Sequence, residues 1–200
     1  MGGLLNILSP DPRILLRLGE TGAVPEDQLH RWWTLLTANY LHAGILHILF
    51  NMIALSQIGP FTVLEYGACR MFSIFTLSGV GGFLISCVAG VPFTLGASAA
   101  VCGLIGAALY FGKSRGGQYG QAVYQQVIGW VIGIFLFGFL VPGINNWAHG
   151  GGLVSGVLTG FILGYQERQE ESFYHKLLGI ICLLATVAAL IWGIFFGWIV

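Results

Sequence analysis

Charge is what this chain has least of. Lys, Arg, Asp and Glu together make up 8% of the residues, against about a quarter in a soluble domain. None of the four occurs between Arg70 and Lys113 or between Arg115 and Glu167, and each interval is long enough for two membrane spans of about 20 residues. A soluble globular domain is excluded. The formal net charge is zero, so there is no basic face and nucleic acid is not an expected partner. Cysteine is equally uninformative as a framework: Cys69, Cys87, Cys102 and Cys182 lie in or beside apolar stretches without CxxC spacing, which argues against disulfide staples and zinc knuckles. There is no HExxH and no pair of aspartates within an apolar stretch, which sets aside zinc and aspartic chemistry inside a membrane. No metal and no cofactor are expected. Met1 to Leu8 is apolar but too short for a cleavable secretory signal, and no basic stretch precedes it. The chain reads as inserted into a bilayer rather than secreted across one.

What fills the space left by charge is hydrocarbon: 56% of residues are hydrophobic and the mean hydropathy is +0.82. Residues 1–41 read as an outer loop segment, broken by Pro10, Pro12, Gly19, Gly22 and Pro25, with Trp32, Trp33 and Tyr40 suited to a membrane interface. Six apolar stretches follow, at about 42–58, 71–90, 96–112, 127–141, 147–165 and 177–199. In lipid only helices or closed barrels satisfy the backbone, and these unbroken runs predict helices. The expected fold is therefore all-α, one polytopic transmembrane bundle over residues 1–200, with core helices in 42–165 and a further C-terminal helix at 177–199. With residues 1–41 outside, Arg70, Lys113, Arg115, Arg168 and Lys176 fall inside, against Arg13, Arg17 and Arg31 outside, which agrees with the positive-inside rule. Glycine is the second organising signal. Gly152, Gly156, Gly160 and Gly164 recur every fourth residue, and Ser98, Ala99, Gly103 and Gly106 offer a similar small-residue face. On glycine alone these are packing faces for helices that associate closely in lipid.

The polar residues within this apolar frame are few, and ionisable or amide groups there are costly. "LHAGILHILFNM" carries His42, His47 and Asn51; "GASAAVCGLIGA" carries Ser98; "NNWAHGGG" carries His149. His47 and Asn51, four apart, share a helix face. Ser98 and His149 both stand near the start of their stretches, so the topology puts these residues at one depth below the outer surface. An imidazole activates a serine hydroxyl as general base, which makes Ser98 and His149 the economical dyad. Attack on an amide creates an oxyanion, for which the side chains of His47 and Asn51 and the Ser98 backbone N–H are the candidate donors. No carboxylate lies at this depth to complete a triad. Taken singly each residue has a plainer role: Ser98 bonding its own backbone, His47 and Asn51 clamping helices, His42 sitting at the water interface. Cys102, one turn beyond Ser98, is a second nucleophile but lies deeper.

Three ordered motifs, "LHAGILHILFNM", "GASAAVCGLIGA" and "NNWAHGGGLVSG", resemble those of the rhomboid intramembrane serine proteases over roughly residues 30–165. The family's HxxxN falls on His47 and Asn51, its GxSG serine on Ser98 and its AHxxG histidine on His149. The resemblance implies a serine nucleophile, a histidine base, oxyanion donors at His47, Asn51 and Ser98, and accessory roles for His42, Gly96 and Ala99, the last standing where GxSG has its second Gly. It also implies cleavage of single-span transmembrane proteins near the outer surface of the bilayer, in a pocket gated by residues 127–141 and the turn before His149. Glu65 resembles a structural acidic residue of the family. Arg31–Trp32–Trp33–Thr34 departs from relatives that place Arg directly after Trp. The chain begins after the position of the family's first core helix, so a truncated start is expected, with 177–199 as an added seventh helix. A bacterial inner membrane is the expected home. Two readings follow: an intramembrane serine endopeptidase, and a catalytically inactive relative that binds transmembrane segments. A small transporter would need polar residues continuing through the bilayer, and few are found.

Overall fold

The computed structural model describes residues 9–197. Met1 to Leu8 and the last residues of the 177–199 stretch, for which the sequence predicts an apolar start and the end of a span, lie outside the described residues. Among the described residues every named element is helical. In the leading segment, α1 (Pro12–Leu18) starts where the Asp11 carboxylate accepts the Arg13 N–H at 2.7 Å with Pro12 in the first turn, and stops at Gly19 with φ +110°. A π-helical turn (Val24–Gln28), a short α2 (Thr34–Thr37) and a 3-10 turn (Ala38–Tyr40) complete it.

Six long helices follow: α3 (Ile45–Tyr66), α4 (Ala68–Val88), α5 (Ser98–Arg115), α6 (Gly117–Leu140), α7 (Asn146–Leu163) and α8 (Phe173–Phe196). They answer to the six apolar stretches, with two boundary differences. α3 continues through Pro60 to Tyr66, and α6 begins at Gly117 rather than near 127. Hydrophobic runs mark the part of a helix that lipid touches, whereas the Gln- and Tyr-rich first turns of α6 continue the helix beyond it. By length and composition α3, α4, α6 and α8 are apolar enough to cross a membrane. α5, which ends in Lys113 and Arg115, and α7, which starts with Asn146 and His149 and is rich in Gly, are not among them, so composition establishes four of the six expected spans. α5 is instead the buried centre: Ala99, Ala100, Leu104, Ala107, Ala108 and Phe111 have no exposed surface.

The contact that organises the bundle is α5 against α7. A Cβ added at Gly152 would overlap the Ala99 carbonyl, one at Gly156 would overlap the Gly103 carbonyl, and one at Gly160 would stand 3.1 Å from Ala107. Each pairing advances by four residues on both helices, so α5 and α7 run parallel with their backbones in contact. Gly82 of α4 closes the third side, where an added Cβ would stand 2.6 Å from the Ala148 carbonyl and 2.9 Å from the Ala99 methyl.

The two ends of the bundle are built differently. At one end Arg70, fully buried, donates to the carbonyls of Tyr66, Leu163, Gly164 and Gln169 and to the Gln166 side chain, while its backbone N–H meets Glu171 at 2.8 Å. Its guanidinium thus joins α3, α4, α7 and the segment leading to α8. Glu65 belongs to the same end, accepting from the Tyr119 hydroxyl at 2.6 Å. At the other end α8 docks on the leading segment: Gly193 faces Trp33 and the Leu18 carbonyl, and Arg31 donates to the carbonyls of Leu16, Arg17 and Gly197. Arg31 therefore spends its charge on carbonyls rather than on a carboxylate.

The backbone contact predicts a sharp difference between glycines of similar sequence setting. Gly156→Ala should destabilise the bundle by about 3 kcal/mol or more, since both sides of the overlap are backbone. Gly133→Ala, with no heavy atom within 4 Å, should leave stability unchanged or raise it slightly. Thermal unfolding of both variants in the same detergent measures the contrast; equal midpoints contradict the α5–α7 register.

Candidate active site

Ser98 is the first residue of α5 and His149 lies in the first turn of α7. The register set by Ala99/Gly152 and Gly103/Gly156 carries these two positions together. Ser98 is one residue before Ala99 and His149 three before Gly152, an axial offset of about 3 Å at the helical rise. Side chains lean toward the N-terminus of their helix, so both project toward the same end of the bundle. His149 is 8% exposed and its Nδ1 is buried without a hydrogen-bond partner among the described residues. No hydrogen bond joins its ring to the Ser98 hydroxyl; such contacts are often long in unliganded sites and tighten only with substrate.

His47 arrives from α3. An added Cβ at Gly96 would stand 2.6 Å from His47 Nε2, so this imidazole lies against the backbone two residues before Ser98. Gly96 is required twice over, by that contact and by its φ of +120°. His47 Nδ1 accepts the Ala43 N–H at 3.4 Å, which assigns the proton of a neutral ring to Nε2, the nitrogen facing the site. Asn51, 5% exposed, gives one amide hydrogen to the His47 carbonyl at 2.9 Å and keeps a second for another acceptor. α5 begins without a side-chain cap, so its first-turn backbone N–H groups are open donors. His42 precedes α3, its ring edge-on to His47 at 5.1 Å between centroids. Burial first, then repulsion from His47, holds its pKa down to about 4, so it is neutral at pH 7. Ala99 is accommodated because Gly82 faces its methyl. The structure thus gathers His42, His47, Gly96, Ser98, Ala99 and His149 at one end of the bundle, with Asn51 one turn deeper.

Residues outside the sequence reading complete the site. Asn145 caps α7, its Oδ1 accepting the Ala148 N–H at 3.1 Å, and its Nδ2 donates to Ser86 Oγ at 2.6 Å and Thr94 Oγ1 at 3.0 Å. An Asn just before an apolar helical run is a recognisable N-cap signal; its partners on α4 and on the loop before Ser98 carry no local signature. The leading segment is strapped to that same loop. Thr21 and Thr94 exchange backbone bonds at 3.1 and 2.7 Å, Ala23 donates to Val91 at 2.8 Å, and Gly96 donates to Ala38 at 2.8 Å. Leu35, Ala38, Phe83, Ala99 and Ala148 form a shared buried cluster beneath it. Glu26 is buried in this segment, where Oε1 accepts from the hydroxyls of Thr21 at 2.6 Å and Thr34 at 2.8 Å. Burial raises its pKa against the opposing pull of those two hydroxyls, and burial pushes Glu20 up to about 7.

These features define an integral membrane helical bundle with an open-donor serine helix beside a buried histidine. The chain belongs to the rhomboid family: the Rhomboid domain family model matches residues 29–166. It is similar to Rhomboid protease GluP of Bacillus subtilis (strain 168), 33% identical over 161 residues that cover 80% of this chain and 31% of that protein. It is similar also to RHOMBOID-like protein 1 of Arabidopsis thaliana, 35% identical over 175 residues covering 85% of this chain and 44% of the relative. Inactive RHOMBOID-like protein 8 of Arabidopsis thaliana is 29% identical over 221 residues, covering 94% of this chain and 62% of the relative. The chain thus spans from about a third to under two thirds of the length of these relatives.

The leading segment's carboxyls set a pH dependence of defined sign. Glu20 has a folded pKa of about 7, above its ordinary 4.5, so its contribution to stability is fully present below pH 4.5 and is lost as pH rises through 7. Glu20→Gln should therefore gain stability relative to the unmutated chain over that window, measured as the difference in thermal midpoints at pH 4.5 and 7.5. A difference independent of pH contradicts the burial of this carboxyl.

Proposed function

We propose that this chain is an intramembrane serine endopeptidase that cleaves transmembrane segments with a Ser98–His149 dyad. The observation that carries the reading is the α5–α7 register, which supports a hydroxyl and an imidazole within one helical turn of each other, with His47 against the backbone beside them. In the first step His149 takes the Ser98 proton as Oγ attacks the scissile carbonyl carbon. The developing oxyanion is received by the His47 Nε2–H, the remaining Asn51 amide hydrogen and the open N–H groups at the start of α5, a set of preorganised donors. Collapse expels the amine, which takes the proton from His149 and leaves an acyl ester on Ser98; water attack, with His149 again as base, releases the acid. The orientation of the ring comes from packing: His149 is buried in the first turn of α7, where Gly150 to Gly152 leave it room.

We read the whole of residues 1–200 as one membrane domain, its substrates as single-span transmembrane proteins, and its home as a bacterial inner membrane with the site opening outward. The basic residues Arg70, Lys113, Arg115, Arg168 and Lys176 on the opposite side support this orientation. The second reading, an inactive relative that binds transmembrane segments, is favoured by the missing Ser98–His149 hydrogen bond and by similarity to an inactive relative.

The two readings separate with a fluorophosphonate probe, which needs no known substrate. The purified chain should be labelled at Ser98, and both Ser98→Ala and His149→Ala should abolish labelling while remaining folded. Absence of labelling in the unmutated chain supports the inactive reading, and labelling that survives Ser98→Ala removes this serine as nucleophile. Asn51→Ala should slow labelling about ten- to a thousandfold; an unchanged rate makes Asn51 structural.

A further inference from the structure

Asn145 stands one turn before His149, and the dyad chemistry has no use for it. Its contacts are nonetheless unusually complete. The carbonyl oxygen of its side chain caps Ala148, its backbone carbonyl accepts the His149 N–H at 3.1 Å, and both amide hydrogens are given away, to Ser86 Oγ and Thr94 Oγ1 at 2.6 and 3.0 Å. These partners belong to separate elements. Ser86 is in the last turn of α4, Thr94 is in the loop that delivers Gly96 and Ser98, and Ala148 and His149 are the first turn of α7.

A helix cap needs only one acceptor, which Ser or Asp supplies as well as Asn. The two donors are the part that capping does not explain. They tie the start of the histidine helix to the loop before the serine, across a gap that no backbone hydrogen bond among the described residues spans. Lower down, the Ala99/Gly152 contact fixes the distance between α5 and α7; above it, the Asn145 amide is the hydrogen-bonded link from the turn before His149 to Thr94. The link continues outward, since Thr94 exchanges both backbone bonds with Thr21 and the Thr21 hydroxyl is bonded to buried Glu26.

We propose that Asn145 is a positioning residue, whose amide clamps the first turn of α7 to the Thr94 loop and to Ser86 and so holds His149 in reach of Ser98. The inference rests on the protease reading above. A slackened clamp lets the imidazole drift by a fraction of an ångström to an ångström, a displacement that costs about tenfold to a hundredfold in rate without altering where a probe binds.

Two variants isolate the clamp from the cap. Asn145→Ser keeps a capping oxygen but cannot reach both hydroxyls; Ser86→Ala combined with Thr94→Val keeps Asn145 and removes what it holds. In both, fluorophosphonate labelling of Ser98 should slow about tenfold or more, with kinact lowered and KI within about twofold, whereas a merely structural loss would lower the labelled fraction and leave kinact alone. Labelling at the unmutated rate in either folded variant overturns the proposal. Should Asn145→Ser not fold, the Ser86/Thr94 variant decides alone. Should the unmutated chain not be labelled at all, the protease reading fails by itself, and amide hydrogen exchange at Ala148 and His149 judges the clamp. Faster exchange in these variants sustains it, and unchanged exchange overturns it.

Discussion

Two helical backbones in contact are the constraint on which the rest of this molecule depends. Lipid offers no hydrophobic drive between helices, so α5 and α7 gain association by dispersion and weak Cα–H contacts that require the absence of side chains. Gly152, Gly156 and Gly160 supply that absence against Ala99, Gly103 and Ala107. A four-residue step on both sides leaves no freedom of rotation or sliding, because a shift of one residue sets a carbonyl against a methyl or an isobutyl group. The first turns of both helices are consequently matched in depth, and a serine on one and a histidine on the other become neighbours as a by-product of packing. Gly82 extends the same logic to α4 and explains why an alanine beside Ser98 is tolerated.

The two ends of the bundle treat polar groups in opposite ways. Around Arg70 the guanidinium's donors meet carbonyls or an amide oxygen, and the site is closed. Around Ser98 groups are left over: His42 Nε2, His149 Nδ1 and Asn146 Oδ1 are buried without partners among the described residues, while Asn51 retains an amide hydrogen and α5 starts uncapped. Buried polar groups are ordinarily bonded, and exceptions need a reason. Three such groups gather at this end, under a leading segment strapped down by Thr21, Ala23 and Gly96, while others, Thr76, Ser78 and Thr186 among them, lie along α4 and α8.

How much of this was legible in the chain follows the range of the interaction. The glycine step of four, the shared face of His47 and Asn51 and the placement of Ser98 and His149 at helix starts are local patterns, and each was readable. The end of α3 at Tyr66 and the start of α6 at Gly117 were not, because hydropathy reports the lipid-facing stretch and not the hydrogen-bonded one. Ala99 could be judged small but not accommodated, since its neighbour Gly82 is on another helix. Asn145 gave a cap signal, but its bonds to Ser86 and Thr94 join residues more than fifty positions apart. The leading segment read as a loop; that it covers the site depends on pairings of Thr21 with Thr94 and Ala38 with Gly96 that leave no periodic trace.

One helix stands apart from this tight construction. Near the Arg70 end α6 is pressed against α5, where Gly112 meets Gly120 and Tyr124 backbone to backbone. Toward the Ser98 end an added Cβ at Gly129 or Gly133 would meet nothing within 4 Å, Phe137 lies 6.5 Å from Phe50 of α3 between ring centroids, and Gly138 packs against the Asn146 side chain at the start of α7. Phe139 and Leu140 are among the most exposed apolar residues of the chain. Little of this helix is buried between its two ends. The fold thereby sets a tightly packed pair of helices, α5 and α7, beside one whose apolar surface is largely exposed.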